Sequence, residues 1–335
     1  MFTSSDIIHI PYTPDLSEGG IAYACHSLAC TYELGDLPAD RLRRTAGGVA
    51  VELAFRRYLS GQAVPFEVLD STPFTHPDHY NVALGRHRCE IISYLITRQS
   101  QIAQLRRESG SLLKAPALIP VDQFAAEGHR PDDLYLFAFL MGMAAAAQAD
   151  IKKTISDRQP VFLIHPLPEH WARPSAWVPL EKLALKSESD APLTVEIGGL
   201  NAERTFVAAK LELPPRQRVL VDQTFYSLAY VHVTRLPEAR LGLHSPVRGE
   251  AYIVPPYDWG NIWIQGEQIL LAGWLTHEEY RRKAKVLNAG SPTFQFEHTR
   301  TKNLLVPMAE LNPLGILLKR VCAWEAKKPR LIPSS

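Results

Sequence analysis

Three acids stand where their carboxyl groups can converge: Glu52 in "AVELAFRRYL", Asp78 in "HPDHYNVALG" and Glu90 in "RCEIISYL". Carboxylates brought to one point repel each other unless a divalent cation lies between them, and hard oxygen donors favour Mg²⁺ or Mn²⁺. A cation so held can activate water and offset charge on a phosphodiester. Each acid also has a plainer reading. Glu52 precedes Arg56 by four positions, the spacing of an intrahelical ion pair. Asp78 follows Pro77 and suits a turn, and Glu90 has Arg86 and Arg88 close by for an ordinary pair.

The elements that must position these residues can be read from local pattern. Asp40 is a good N-cap and Gly61 a good stop, and between them Ala46, Val49, Leu53 and Tyr58 share one side of a helix. Glu52 lies within the broad apolar arc of that helix, where an unpaired carboxylate is costly. Residues 65–70, 80–85 and 87–96 read as strands, the last two joined by a tight turn at Gly85. On the third strand Arg88, Glu90, Ile92 and Tyr94 point one way and Cys89, Ile91, Ser93 and Leu95 the other. A polar helix is expected from about Arg98 to Gly110, a strand over 133–140, an Ala-rich helix over 142–156 and a buried strand over 160–165.

The acid-bearing helix, the literal "PD" at Pro77 and Asp78, the "EII" at 90–92 and the order helix, three strands, helix, strand resemble the PD-(D/E)XK nuclease superfamily, with its restriction-endonuclease-like fold. The resemblance spans residues 40–165, under half of the chain. It implies Asp78 and Glu90 as metal ligands, the carbonyl of Ile91 as a further oxygen, and Glu52 as the helix acid. It further implies Mg²⁺ or Mn²⁺ as cofactor and DNA as substrate, in DNA processing or defence against foreign DNA. Ile92 departs from the pattern, because the family carries lysine there to position water and offset transition-state charge. Arg88, on the same strand face, is the first candidate to replace it, as a charge stabiliser and not as a base. His87, Tyr94, Gln99 and Lys114 are weaker candidates. Loss of cleavage with retention of the fold fits Ile92 equally well.

After the Pro- and Trp-bearing stretch "HPLPEHWARPSAW", β-branched and aromatic runs separated by turn residues fill 192–271, which predicts a mainly antiparallel β domain. The expected organisation is an α/β (α+β) mixed sheet flanked by helices over 1–165, followed by a mainly β domain over 166–335 with a basic C-terminal helix. "EIGGLN" reads as a Gly-Gly hairpin turn. Thr276 and Glu279 form a capping box for the basic helix. Between Tyr280 and Ser335, eleven Lys and Arg face three acids, although the whole chain carries only +1. Arg281, Arg282, Lys283, Lys285, Arg300 and Lys302 are therefore the candidate phosphate contacts.

Aromatic residues Tyr252, Tyr257, Trp259, Trp263 and Trp274 read as core before they read as a base-stacking platform. Cys25, His26 and Cys30 diverge on a helix and make no zinc site. His165 and His170 lack an identifiable partner acid and read as structural. The longest apolar run, 134–147, is too short to cross a bilayer. Four cysteines without paired spacing, and a first stretch lacking a basic end and apolar run, predict a cytoplasmic protein with no membrane association. Three functions follow in order: a metal-dependent DNA-acting enzyme, an inactive nuclease-fold subunit that binds nucleic acid or protein in a larger complex, and a β-domain ligand- or protein-binding module.

Overall fold

A computed structural model describes residues 2–28, 38–69, 82–249 and 251–325. Asp78 and Cys30 lie outside the described residues, as do the basic positions Lys327, Lys328 and Arg330. Strand β1 (Ile8–Pro11) and helix α1 (Pro14–Leu28) open the chain. The helix expected between Asp40 and Gly61 is α2 (Pro38–Gly61), whose leading proline has φ preset for a first turn. Strands β2 (Glu67–Val68), β3 (Val82–Leu84) and β4 (His87–Ile96) follow, the last with the bounds expected from its pattern. Between β3 and β4 the chain turns through Gly85 and Arg86, with φ of 57° and 76°. Positive φ at both central residues matches the right-handed twist of a two-residue hairpin.

Next come α3 (Gln99–Arg107), a 3-10 turn over Ser109–Lys114, β5 (Pro116–Pro120), the single-turn α4 (Val121–Phe124) and β6 (Leu134–Met143). The Ala-rich helix begins later than expected: Gly142 and Met143 end β6, and α5 covers only Gln148–Ser156. Tertiary burial overrides propensity here, because the preceding strand is buried over nine successive residues. Then follow β7 (Leu163–Pro166), α6 (Glu169–Ala172), β8 (Ala184–Ser187), β9 (Leu193–Leu200), β10 (Phe206–Leu213), β11 (Arg218–Leu220) and β12 (Ser227–Val233). The chain continues with β13 (Leu241–His244), β14 (Tyr252–Val254), β15 (Gly260–Asn261), β16 (Gln265–Thr276) and α7 (His277–Lys283). It ends with β17 (Lys285–Leu287), β18 (Asn303–Pro307), β19 (Asn312–Pro313) and α8 (Leu314–Glu325).

Contacts divide the chain into two units, neither continuous in sequence: residues 1–16, 47–143 and 266–335 form the first, and 17–46 with 144–265 the second. The boundary expected at 165/166 falls inside the second unit. Local pattern does not reveal that β16 returns to the first sheet, since a buried strand reads the same in either unit.

The first unit is built on a mixed sheet of order β1-β16-β6-β4-β3-β2, with β19 on β16. Strands β4 and β6 run parallel, Glu90 beside Tyr135 and Ile92 beside Phe137, while the β2–β3 and β3–β4 pairs are antiparallel. Strand β6 is apolar on both faces, as a central strand covered from two sides must be. Its core gathers Tyr94, Tyr135, Phe137, Phe139 and Tyr280 with residues of a second, antiparallel sheet, β17-β18-β5.

The second unit holds two antiparallel sheets, β10-β9-β12-β7-β15 and β11-β8-β13-β14. Val195, Ile197 and Val231 of one meet Leu185 and Leu243 of the other in a core completed by Trp171 and Trp259. The Gly198–Gly199 pair is no hairpin turn. It lies inside β9, because the Tyr230 ring and the Ser227 carbonyl occupy the space that side chains would need. The turn falls later, where Asn201 accepts from the Thr205 backbone N–H through its side chain at 2.9 Å. Of the aromatic residues considered for a platform, Trp259 and Trp274 are buried, Tyr252 and Trp263 are partly buried, and Tyr257 is exposed.

Candidate functional site around Glu90

Glu90 is 6% exposed on the face of β4 shared with Tyr94. Helix α4, following directly on β5, brings Gln123 to it, and the Gln123 amide donates to Glu90 Oε1. A buried carboxylate needs such a donor, because leaving it unpaired costs far more than the hydrogen bond returns.

Arg88, two residues earlier on the same face, is turned to a different acid. Its Nε donates to Asp133 Oδ1 at 2.9 Å and its Nη2 to Asp133 Oδ2 at 2.5 Å, with a further bond from Nη2 to the Gly128 carbonyl at 2.6 Å. Asp133 is 1% exposed and also accepts from the Arg130 backbone N–H at 2.6 Å. The bidentate fork uses the geometry for which guanidinium is suited, and it binds Arg88 to the start of β6. Ile92 is partly buried and packs against the aromatic core. Beyond Glu90, then, this face of β4 presents an aliphatic side chain.

The other candidates are also engaged. His87 Nδ1 lies 3.1 Å from Asp132 Oδ2. The Tyr94 hydroxyl donates to the Leu118 carbonyl at 2.6 Å and accepts from its N–H at 2.7 Å, and burial pushes this phenol well above its ordinary range. Gln99 contacts Met143 Sδ at 3.5 Å, and Lys114 is exposed in the 3-10 turn. Glu52 pairs with Arg56, as the four-residue spacing suggests. Gly48, one turn before Glu52, packs on Ser93, where an added Cβ would stand 3.5 Å from Oγ. Ser93 and Glu90 leave opposite faces of β4 by alternation, so Glu52 belongs to the helix on one side of the strand and Glu90 points to the other. Ile91 is partly buried on the Ser93 face.

The third acid, Asp78, lies outside the described residues. Among the described residues no group of three or more His, Cys, Asp and Glu side chains could hold a metal ion.

A polar cluster that sequence spacing did not reveal adjoins Glu90. The capping box at Thr276 and Glu279 is present, with the Glu279 N–H donating to Thr276 Oγ1 at 3.1 Å and the Thr276 N–H to Glu279 Oε2 at 3.0 Å. It sets His277 at the first position of α7, where its N–H donates to the Asp133 carbonyl at 2.7 Å. The ring stacks on Phe124 at 4.4 Å and on His129 at 5.1 Å, and Nδ1 lies 2.8 Å from the Tyr135 hydroxyl. Tyr135 is the neighbour of Glu90 across the parallel register. Chemically, this is a hydrogen-bonded tyrosine–histidine pair whose tyrosine is the cross-strand neighbour of Glu90. The only local signals were the capping box and an acid, Asp133, opening an otherwise apolar strand.

Burial, and then the nearby His129, lower the His277 pKa, against an opposing pull from Asp133. The unfolded chain therefore binds this proton more readily than the folded one, so stability holds above the unfolded value of about 6.5 and falls as pH drops through and below it. His277→Gln is expected to flatten the change in unfolding midpoint between about pH 7 and 5.5, measured by thermal melts at both. An unchanged slope would remove His277 as its source.

Of the candidate phosphate contacts, Arg281 pairs with Glu278 at 2.8 Å, Arg282 lies 3.9 Å from the same acid, and Lys283 donates to the Glu310 carbonyl at 2.7 Å. All three remain exposed, as do Lys285 on β17 and Arg300 and Lys302 before β18. In the second unit His165 is satisfied by the Tyr252 hydroxyl and the Asp258 carbonyl, each at 2.8 Å, and the Asp258 carboxylate is 3.5 Å away. No helix among the described residues is long and apolar enough to cross a membrane. Compared with protein-family models, curated proteins and solved structures, the chain has no match.

Proposed function

We propose that the chain binds DNA, its first unit using a restriction-endonuclease-like sheet as a scaffold without cutting at Glu90. The observation that carries this reading is the bidentate closure of Arg88 on Asp133 while Ile92 packs into the core. Arg88, the arginine of strand β4 nearest in sequence to Glu90, is thereby committed to Asp133, which weakens it as a stabiliser of a phosphodiester transition state. The exposed cations Arg281, Arg282, Lys283 and Lys285 support a backbone contact of the sequence-independent kind. A second reading, metal-dependent hydrolysis, is favoured by one feature: a carboxylate as buried as Glu90 on the hairpin strand.

Pure protein incubated with supercoiled and single-stranded DNA in Mg²⁺ and in Mn²⁺ separates the two. Salt-sensitive binding without cutting is expected. Changing Arg281, Arg282 and Lys283 together to glutamine should reduce the slope of log affinity against log salt by about 2 to 3. Cutting that both Asp78→Ala and Glu90→Ala abolish would replace this reading with the hydrolytic one, and absence of binding to either DNA would end both.

A further inference from the structure

The second unit contains a cavity of about 290 Å³ bounded by α1 and the β10-β9-β12 face of its five-stranded sheet. Phe162, Phe206 and Trp263 line it together with Glu18 and Glu196, and among the described residues no lysine or arginine does. Its floor is fixed. Tyr230, 2% exposed, donates its hydroxyl to Glu196 Oε1 at 3.0 Å, and its ring fills the space that a Gly198 side chain would take. At the rim the His26 ring packs on Phe206 at 4.0 Å, tilted by 30°. Cys25 also borders the cavity, but burial, and then Glu196, push its thiol up to about 12. Such a thiol is a poor nucleophile at neutral pH.

We propose that this cavity binds a small organic cation, an ammonium head on an apolar body. Three observations converge on that class. The volume is at the lower end of the range for small-molecule sites. Aromatic faces attract a cation through their quadrupoles, most strongly when water is excluded. Two carboxylates supply opposite charge, and His26 is the one basic side chain among the described lining residues; Lys210, the cross-strand neighbour of Glu196, is exposed and outside the lining. An anion would meet the carboxylates of Glu18 and Glu196. The inference is independent of the DNA reading, which concerns the other unit.

The test titrates the full chain with choline and with its uncharged carbon isostere, 3,3-dimethylbutan-1-ol, by calorimetry and by methyl NMR shifts at Ile21. The cation should bind about tenfold or more tightly than the isostere. Trp263→Ala and Glu196→Gln should each weaken choline by about tenfold while leaving the isostere within about threefold. The glutamine keeps an acceptor for the Tyr230 hydroxyl, and thermal melts check that both variants fold. Equal affinity for the two probes, no binding of choline at millimolar concentration, or choline affinity unaffected by both substitutions in folded protein would each overturn the assignment.

Discussion

Arg88→Met is expected to lower the stability of the first unit by about 3 kcal/mol, because it strands the carboxylate of Asp133 in the interior. The energy comes less from the lost pair than from the charge left behind. Asp133 is 1% exposed, and a backbone N–H such as that of Arg130 carries no full charge to replace the guanidinium. Arg88 itself keeps some exposure, so the figure is set at the lower end of the range for broken buried pairs. Arg88→Lys should recover only part of the loss, since an ammonium cannot reproduce two parallel bonds. The double variant Arg88→Met with Asp133→Leu should be more stable than Arg88→Met alone, because it removes the orphaned charge as well. Urea unfolding of the four proteins measures this coupling. If Arg88→Met unfolds like the parent protein yet alters DNA cleavage, the side chain serves the reaction and not the fold.

Gly199→Ala is expected to cost about 3 kcal/mol or more in the second unit, where a Cβ would collide with the Ser227 carbonyl oxygen and come within 2.9 Å of Leu228 Cα. Both obstacles are backbone of β12, which pairs with β9 in this stretch. A flexible side chain can rotate away from an added methyl, but a hydrogen-bonded strand must shift bodily. Gly315 in α8 supplies the contrast, since a Cβ there meets nothing within 4 Å. Gly315→Ala should therefore stabilise its unit by about 1 kcal/mol through helix propensity alone. The two variants compared by chemical denaturation should move in opposite directions. A loss below about 0.5 kcal/mol at Gly199 would mean that β9 and β12 separate more readily than this packing allows.

What the sequence by itself determined is what depends on neighbours along the chain. The bounds of β4 follow from its alternation, the end of α2 from Gly61 and its body from the apolar arc, and the start of α7 from the Thr276–Glu279 box; Asp40, read as the N-cap of α2, instead lies inside its first turn because the helix begins at Pro38. The Glu52–Arg56 pair was legible for the same reason, as four residues make one helical turn. The tertiary structure alone decided which distant segments meet. The parallel β4–β6 register sets Tyr135 beside Glu90, the bidentate pair takes Arg88 to Asp133, and the return of β16 to the first sheet delivers His277 to the same place. It also kept Gly198 and Gly199 extended inside a strand, although their local preference is to turn. Local pattern cannot encode these outcomes because an apolar strand satisfies its own periodicity equally well beside several partners. The choice among partners falls to the total apolar surface buried and to whether each charge drawn inside finds its opposite.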